Sequence, residues 1–157
     1  MSQLKVFVSS TIFDLKDYRN SAYKSINRID MEPILLEKEW GKLSGKHKYM
    51  STYQLVRDRI EECNVLVSII GKNRGGVIYE TKERFVIKEI KTAIDHNIPV
   101  FLYVTPSSDL FWKLEKGLES NNELNIISGI ELISLVENPG DFSTKLKNDL
   151  IKFKLEK

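Results

Sequence analysis

The chain has one cysteine, Cys63, so it can close no internal disulfide and fits a reducing compartment. Cys63 lies at the apolar end of a helical segment (EECNVL), where a small buried residue is the simplest reading. Charge of one sign is also lacking: 24 basic against 22 acidic residues leave +2. Binding to a phosphate backbone needs clustered base, so composition carries no nucleic-acid footprint. No stretch approaches the ~20 apolar residues of a membrane helix. The N-terminus lacks the basic-then-apolar order of an export signal, because Ser9 to Asp14 interrupt the first hydrophobic stretch. A cytoplasmic protein is expected, with neither nucleic acid nor membrane among its partners. The two histidines, His47 and His96, stand far apart, with no Cys or carboxylate at metal spacing, so no metal site is expected. Neither an internal repeat nor a low-complexity linker divides the chain.

What is present suits one domain over residues 1–157. The 41% hydrophobic content can fill a core and the 29% charged content can cover it. LKVFV (4–8) reads as a strand. Leu15, Ala22, Ile26 and Ile29 then recur at helical spacing. MEPILLE (31–37) reads as a second strand, with Pro33 suited to an edge. GKLSGKHKY (41–49) has no period and reads as a loop, a natural assembly surface. Tyr53, Val56, Ile60 and Cys63 mark a second helix. VLVSII (65–70) is nearly all apolar, as in a strand buried on both faces. A GKNRGG loop follows, then a helix over 83–97 with Val86, Ile90, Ala93 and Ile94 inward. IPVFLYV (98–104), a polar helix near 108–120, ELISLV (131–136) and an amphipathic helix from about 141 complete the chain. Strand and helix alternate five times. That implies an α/β three-layer sandwich with a parallel sheet, of flavodoxin-like order 2-1-3-4-5. Ligands of such sheets bind beyond the carboxyl ends of the strands, between strands 1 and 3. The loops there are Ser9 to Phe13 and Gly71 to Lys82.

The first loop holds three consecutive hydroxyls. Thr11 with Asp14 three residues later has capping-box spacing. Capping leaves Ser9 and Ser10 unexplained, and a strand-to-helix turn with hydroxyls can seat an anion. The run lacks the glycines of a P-loop or Rossmann fingerprint. It also lacks the acidic residues of a phosphoacceptor receiver and the glycine loop of a flavodoxin. Lys72 and Arg74 could meet a phosphate, while Gly75 and Gly76 permit a tight turn. Glu89 lies at the margin of the inward stripe of the third long helix, where a carboxylate can reach over a strand end. Glu37 and Glu39 are expected at the end of strand 2, with Trp40 after them. They serve either acid–base work or protection of a sheet edge.

VFVSST-x-x-DL-x-x-x-R, here Val6 to Leu15 with Arg19, resembles the opening signature of a TIR-like domain family of unassigned function. That family is found at the N-termini of NACHT-type ATPases and in bacterial proteins. FVIKEIKTAI (85–94) is similar to the segment around the catalytic glutamate of NAD⁺-cleaving TIR domains, and Glu89 is the matching position. The resemblance implies cleavage of the nicotinamide–ribose bond through an oxocarbenium-like transition state, with Glu89 stabilising the developing positive charge. NAD⁺ would then be substrate rather than cofactor, and no cofactor is expected. Ser9, Ser10, Thr11, Gly71 and Lys72 would line the ribose and phosphate site, and Phe13 or Trp40 would stack on a ring. The expected function is thus an NAD⁺ glycohydrolase or cyclase acting in nucleotide signalling, in bacterial anti-phage immunity. One alternative is a non-catalytic module that assembles with itself or an effector protein. Another is a nucleoside deoxyribosyltransferase-like enzyme, a family of the same topology that uses a helix glutamate as nucleophile.

Overall fold

A computed structural model describes residues 3–11, 14–39, 52–72, 85–108 and 129–157. Five strands form one parallel sheet: β1 (Lys5–Ser9), β2 (Glu32–Ile34), β3 (Val65–Ile70), β4 (Val100–Val104) and β5 (Leu132–Leu135). Their order is β2-β1-β3-β4-β5, as the alternating pattern predicts. The helices are α1 (Lys16–Arg28), α2 (Leu36–Glu39), α3 (Thr52–Glu62), α4 (Phe85–Asp95) and α5 (Pro139–Leu155). The expected loop at 41–49 and the helix near 108–120 lie outside the described residues.

Strand alternation divides the core in two. Val6, Val8, Val65, Val67, Ile69, Phe101 and Tyr103 face α1 and α5, where Ala22, Ile26, Phe142, Leu146 and Leu150 meet them. Phe7, Leu66, Ile70, Leu102 and Val104 face the other way, onto Val56 and Ile60 of α3 and Val86, Ile90 and Ala93 of α4. The central strands are buried on both faces, which is why β3 and β4 read as apolar runs broken only by Ser68.

Two long helices stop by the same device without glycine. Asp30 after α1 and Asn97 after α4 take left-handed backbone, with φ 59° and 58°. Met31 N–H then returns to Ile26 O at 3.2 Å, and Ile98 N–H to Ala93 O at 2.9 Å, closing Schellman turns. Asp and Asn tolerate this conformation better than other side chains. The chain leaves each turn aimed into the next strand.

Three boundaries differ from the sequence pattern. β2 ends at Ile34, and Leu36–Glu39 turns into helix, with Lys38 N–H on Leu35 O at 2.9 Å. A short apolar run such as Ile34-Leu35-Leu36 has no period that separates strand from helix. Glu37 and Glu39 therefore sit on α2 and do not end a strand. α1 begins at Lys16, behind Leu15, and no side chain caps it. Thr11 is accordingly not its cap; its hydroxyl bonds Asp14 Oδ1 within the turn. α5 starts at Pro139, ahead of the expected 141. Asn138 Oδ1 accepts from Asp141 N–H at 2.9 Å, and proline suits the first helical position. No helix among the described residues is long and apolar enough to cross a membrane.

Candidate active site

β1 ends between β2 and β3, and its last residue meets α4. Ser9 shares the parity of Phe7, so it faces the α3–α4 layer. Its Oγ donates to Glu89 Oε1 at 2.7 Å, a bond spanning 80 residues. Glu89 is 7% exposed and Ser9 1%. Burial pushes the Glu89 carboxyl up to about 7, against the opposing pulls of the Ser9 hydrogen bond and the Arg19 charge. The helix places Glu89 here because Val86, Ile90 and Ala93 anchor the same face in the core. A buried carboxyl with its proton poised near neutrality is the usual equipment of a chemical site.

On the other side of the β1 end stands Arg19 of α1, whose side chain is 3% exposed. Its Nε donates to Glu37 Oε2 at 2.9 Å and its Nη2 to Glu37 Oε1 at 2.5 Å, a two-pronged pair. Nη1 donates to Ser10 Oγ at 2.8 Å, Ser10 O at 3.3 Å and Val8 O at 3.4 Å. Ser10 Oγ in turn donates to Thr11 O at 2.8 Å. For Glu37, burial raises the carboxyl pKa, but the hydrogen bonds and charge of Arg19 outweigh this and hold it below the usual range. Arg19 thus ties α1, α2 and the end of β1 together.

The structure brings Ser9 and Glu89 together directly. Ser10 stands one residue on, with its hydroxyl occupied by Arg19 and the backbone. Gly71 is buried just beyond β3, where a Cβ would come within 3.0 Å of Leu15 Cδ2 and 3.2 Å of Ser107 Oγ. Its lack of a side chain serves close packing between the β3 end and the start of α1. Lys72 is exposed at the same rim. Phe13, Trp40, Arg74, Gly75 and Gly76 lie outside the described residues. Glu39 is buried, with Arg59 Nε 3.3 Å from its Oε2, well integrated into the α2–α3 contact. Among the described residues, no group of His, Cys, Asp and Glu gathers to hold a metal ion.

Three groups escaped the sequence reading. Arg19 was visible only as the last letter of a signature; burial of a single arginine on an apolar stripe was its signal. Ser68 is the one polar residue of VLVSII, and it lies beside Ser9 in the β1–β3 register. Thr105 and Ser107 follow β4, with their hydroxyls 2.8 Å apart and Thr105 Oγ1 donating to Ile70 O at 3.0 Å. The run TPSS after an apolar strand marks them.

The stretch from residue 5 to residue 151 matches a family described as a domain of unknown function, DUF4062. The chain belongs to the DUF4062 family. No curated protein matches this DUF4062 chain. Among solved structures it is similar to a 2-deoxyribosyltransferase from the psychrotolerant bacterium Bacillus psychrosaccharolyticus. Identity is 15%, coverage 88% of this chain and 90% of that one, and the TM-score 0.57. It is likewise similar to a CMP N-glycosidase, BcmB, from Clostridium botulinum, at 14% identity over 90% and 97% of the two chains, with a TM-score of 0.53. At such identities the likeness establishes the shared flavodoxin-like α/β fold.

These neighbours correct the expectation drawn from TIR domains. A family of unassigned function was expected and is found, but neither neighbour is a TIR domain. The NAD⁺-cleaving reading is overturned by these neighbours, whose names are those of N-glycosidic enzymes. One neighbour is named for transferring 2-deoxyribose in nucleoside synthesis, the other for cleaving the glycosidic bond of CMP. The shared topology had pointed to both chemistries, and a few letters around Glu89 had tipped the balance wrongly.

Proposed function

We propose that this DUF4062 domain breaks the N-glycosidic bond of a nucleoside or nucleotide, with Glu89 as the carboxylate that attacks the anomeric carbon. The observation that carries the reading is a buried glutamate at the carboxyl edge of β1 and β3, its Oε1 held by Ser9 at 2.7 Å. The kinship in fold with a deoxyribosyltransferase and a CMP N-glycosidase supports it.

In this reading Ser9 fixes one carboxylate oxygen and leaves the other to approach C1′. The C1′–N bond breaks as the C1′–O bond forms. The electron pair departs with the base, which takes a proton. The transition state has oxocarbenium character, and the adjacent negative charge stabilises it. Water or a second base then attacks C1′, and the carboxylate leaves. Attack requires ionised Glu89. Turnover should therefore rise with pH through about 7, where its carboxyl titrates in the free protein.

The test incubates concentrated protein with deoxynucleosides, ribonucleosides and their 5′-monophosphates, each with and without a second free base. Chromatography reads released base as hydrolysis and a new nucleoside as transfer. Glu89→Gln should lower either rate by about 10²–10³, the scale of one lost transition-state interaction. Conversion of none of these substrates, or equal conversion by Glu89→Gln, would falsify the reading and favour a non-catalytic assembly module.

A further inference from the structure

Ser68 has no role in the site as described so far. It stands in the middle of β3, is 0% exposed, and its Oγ has no hydrogen-bond partner among the described residues. Buried hydroxyls are normally paired, and an unpaired one destabilises the fold where alanine would not. Its surroundings supply a reason to keep it. Ser68 and Ser9 are register partners on neighbouring strands, which stand about 4.8 Å apart. Leu66 and Ile70, two residues to either side of Ser68, face the α3–α4 layer, so Ser68 faces it too. Ser9 already gives its single proton to Glu89, so its oxygen lone pairs remain free to accept. A serine side chain has three staggered positions, and rotation about its Cα–Cβ bond sweeps Oγ through them.

We propose that Ser68 is the second hydroxyl of a Ser68–Ser9–Glu89 relay, turning to donate to Ser9 Oγ when Glu89 carries its negative charge. A donor behind Ser9 polarises the Ser9 O–H bond and strengthens its hold on the carboxylate. The relay selects the charged form: with Glu89 neutral, the chain gains little and Ser68 stays unpaired. Ser68 is thus a positioning residue that acts through Ser9. Among the described residues, these charged and titratable groups stand on the elements packed about Glu89. Arg19 approaches from α1. α3 carries Tyr53, with Lys88 of α4 5.9 Å from its ring, and Glu61, 3.1 Å from His96 just after α4. On that face β1 carries Ser9, with the charged Lys5 at its far end, β3 carries Ser68 among apolar residues, and β4 presents Leu102 and Val104.

The relay rests on Glu89 being the carboxylate of the site, but its test needs no turnover. The Glu89 carboxyl carbon is titrated by ¹³C NMR in the wild type, Ser68→Ala, Ser9→Ala and the double variant, with circular dichroism as the check on folding. Ser68→Ala should shift the midpoint upward, making the carboxylate roughly threefold harder to form, the size of a cooperative hydrogen-bond effect. In the Ser9→Ala background the same change should have no further effect. An unchanged midpoint in Ser68→Ala would overturn the relay. So would equal shifts in both backgrounds, which would mean that Ser68 acts through general polarity instead. Either result leaves the glycosidic reading intact, because that reading fails or stands on product formation.

Discussion

Two glutamates flank the end of β1, and the protein treats them in opposite ways. Glu37 meets a guanidinium; Glu89 meets a hydroxyl. The first carboxyl is held below the ordinary range by Arg19, while burial pushes the second up to about 7. Both have desolvation working against their charge. What separates them is the partner: a full positive charge offsets burial, and a serine does not. Glu37 is therefore committed to structure, joining α2 to α1. Glu89 is left with an exchangeable proton and one oxygen uncommitted to Ser9. A buried carboxylate without a counter-ion is a cost that a purely structural position has no reason to bear.

The comparison can be broken most directly at Glu89. A carboxyl whose folded pKa is about 7, against an ordinary value near 4.5, keeps its proton in the folded protein while the unfolded chain loses it. Stability then falls as pH rises between those two values and levels off above the higher one. Glu89→Gln removes that penalty and retains an acceptor for Ser9. Urea unfolding at pH 8 should show the variant more stable by on the order of 3 kcal/mol, with the gain vanishing near pH 4. A variant less stable than the wild type at pH 8 would show that the charge is compensated after all.

Glu37→Gln should act in the opposite direction. It leaves the Arg19 guanidinium with a weaker partner, while the Glu37 side chain is 34% exposed and partly screened by water. A loss of about 1 kcal/mol at pH 7 is expected, well short of the several lost when a fully buried pair is broken. Because the Glu37 carboxyl is lowered on folding, its contribution is present above the unfolded value and fades as pH falls through the lower folded one. The wild type and variant should therefore converge in acid. If they diverge there, the pair is not what Glu37 contributes.

Thr11→Ala sharpens the contrast at its weak end. Thr11 bonds Asp14 at the rim and caps no helix. Its loss should change the thermal midpoint by no more than about 0.5 kcal/mol would, the scale of ordinary surface changes. A loss of a full kilocalorie would restore the capping role that its spacing had suggested.

The sheet was legible in the letters because its strands obey one rule. VLVSII and IPVFLYV are apolar but for Ser68, as doubly covered strands are, and the alternation with helices leaves one simple closure. The site was half legible. Ser9 and Glu89 stood out through position at the switch point and at the margin of an inward face. Arg19 and Ser68 did not, since a period shows which way a residue faces but not what it touches across the sheet. Glu37 misled for a related reason: Ile34-Leu35-Leu36 satisfies strand and helix equally, and only contact with Arg19 decides. The chemistry was least legible, because one topology hosts several reactions and local likeness around one glutamate does not choose between them.

The Ser9–Glu89 bond joins residues 80 apart through a parallel sheet, so no local segment of the chain can form it. A pairing of that span must first pay the entropy of closing the intervening chain. Until α4 docks on β1 and β3, Glu89 is an ordinary surface acid that has given up its proton at pH 6. Completion of the fold at that pH must draw the proton back from water. An indicator dye in a weakly buffered refolding mixture would see the solution turn more alkaline as Ser9 and Glu89 meet, a colour change that marks the closing of this contact without any ligand.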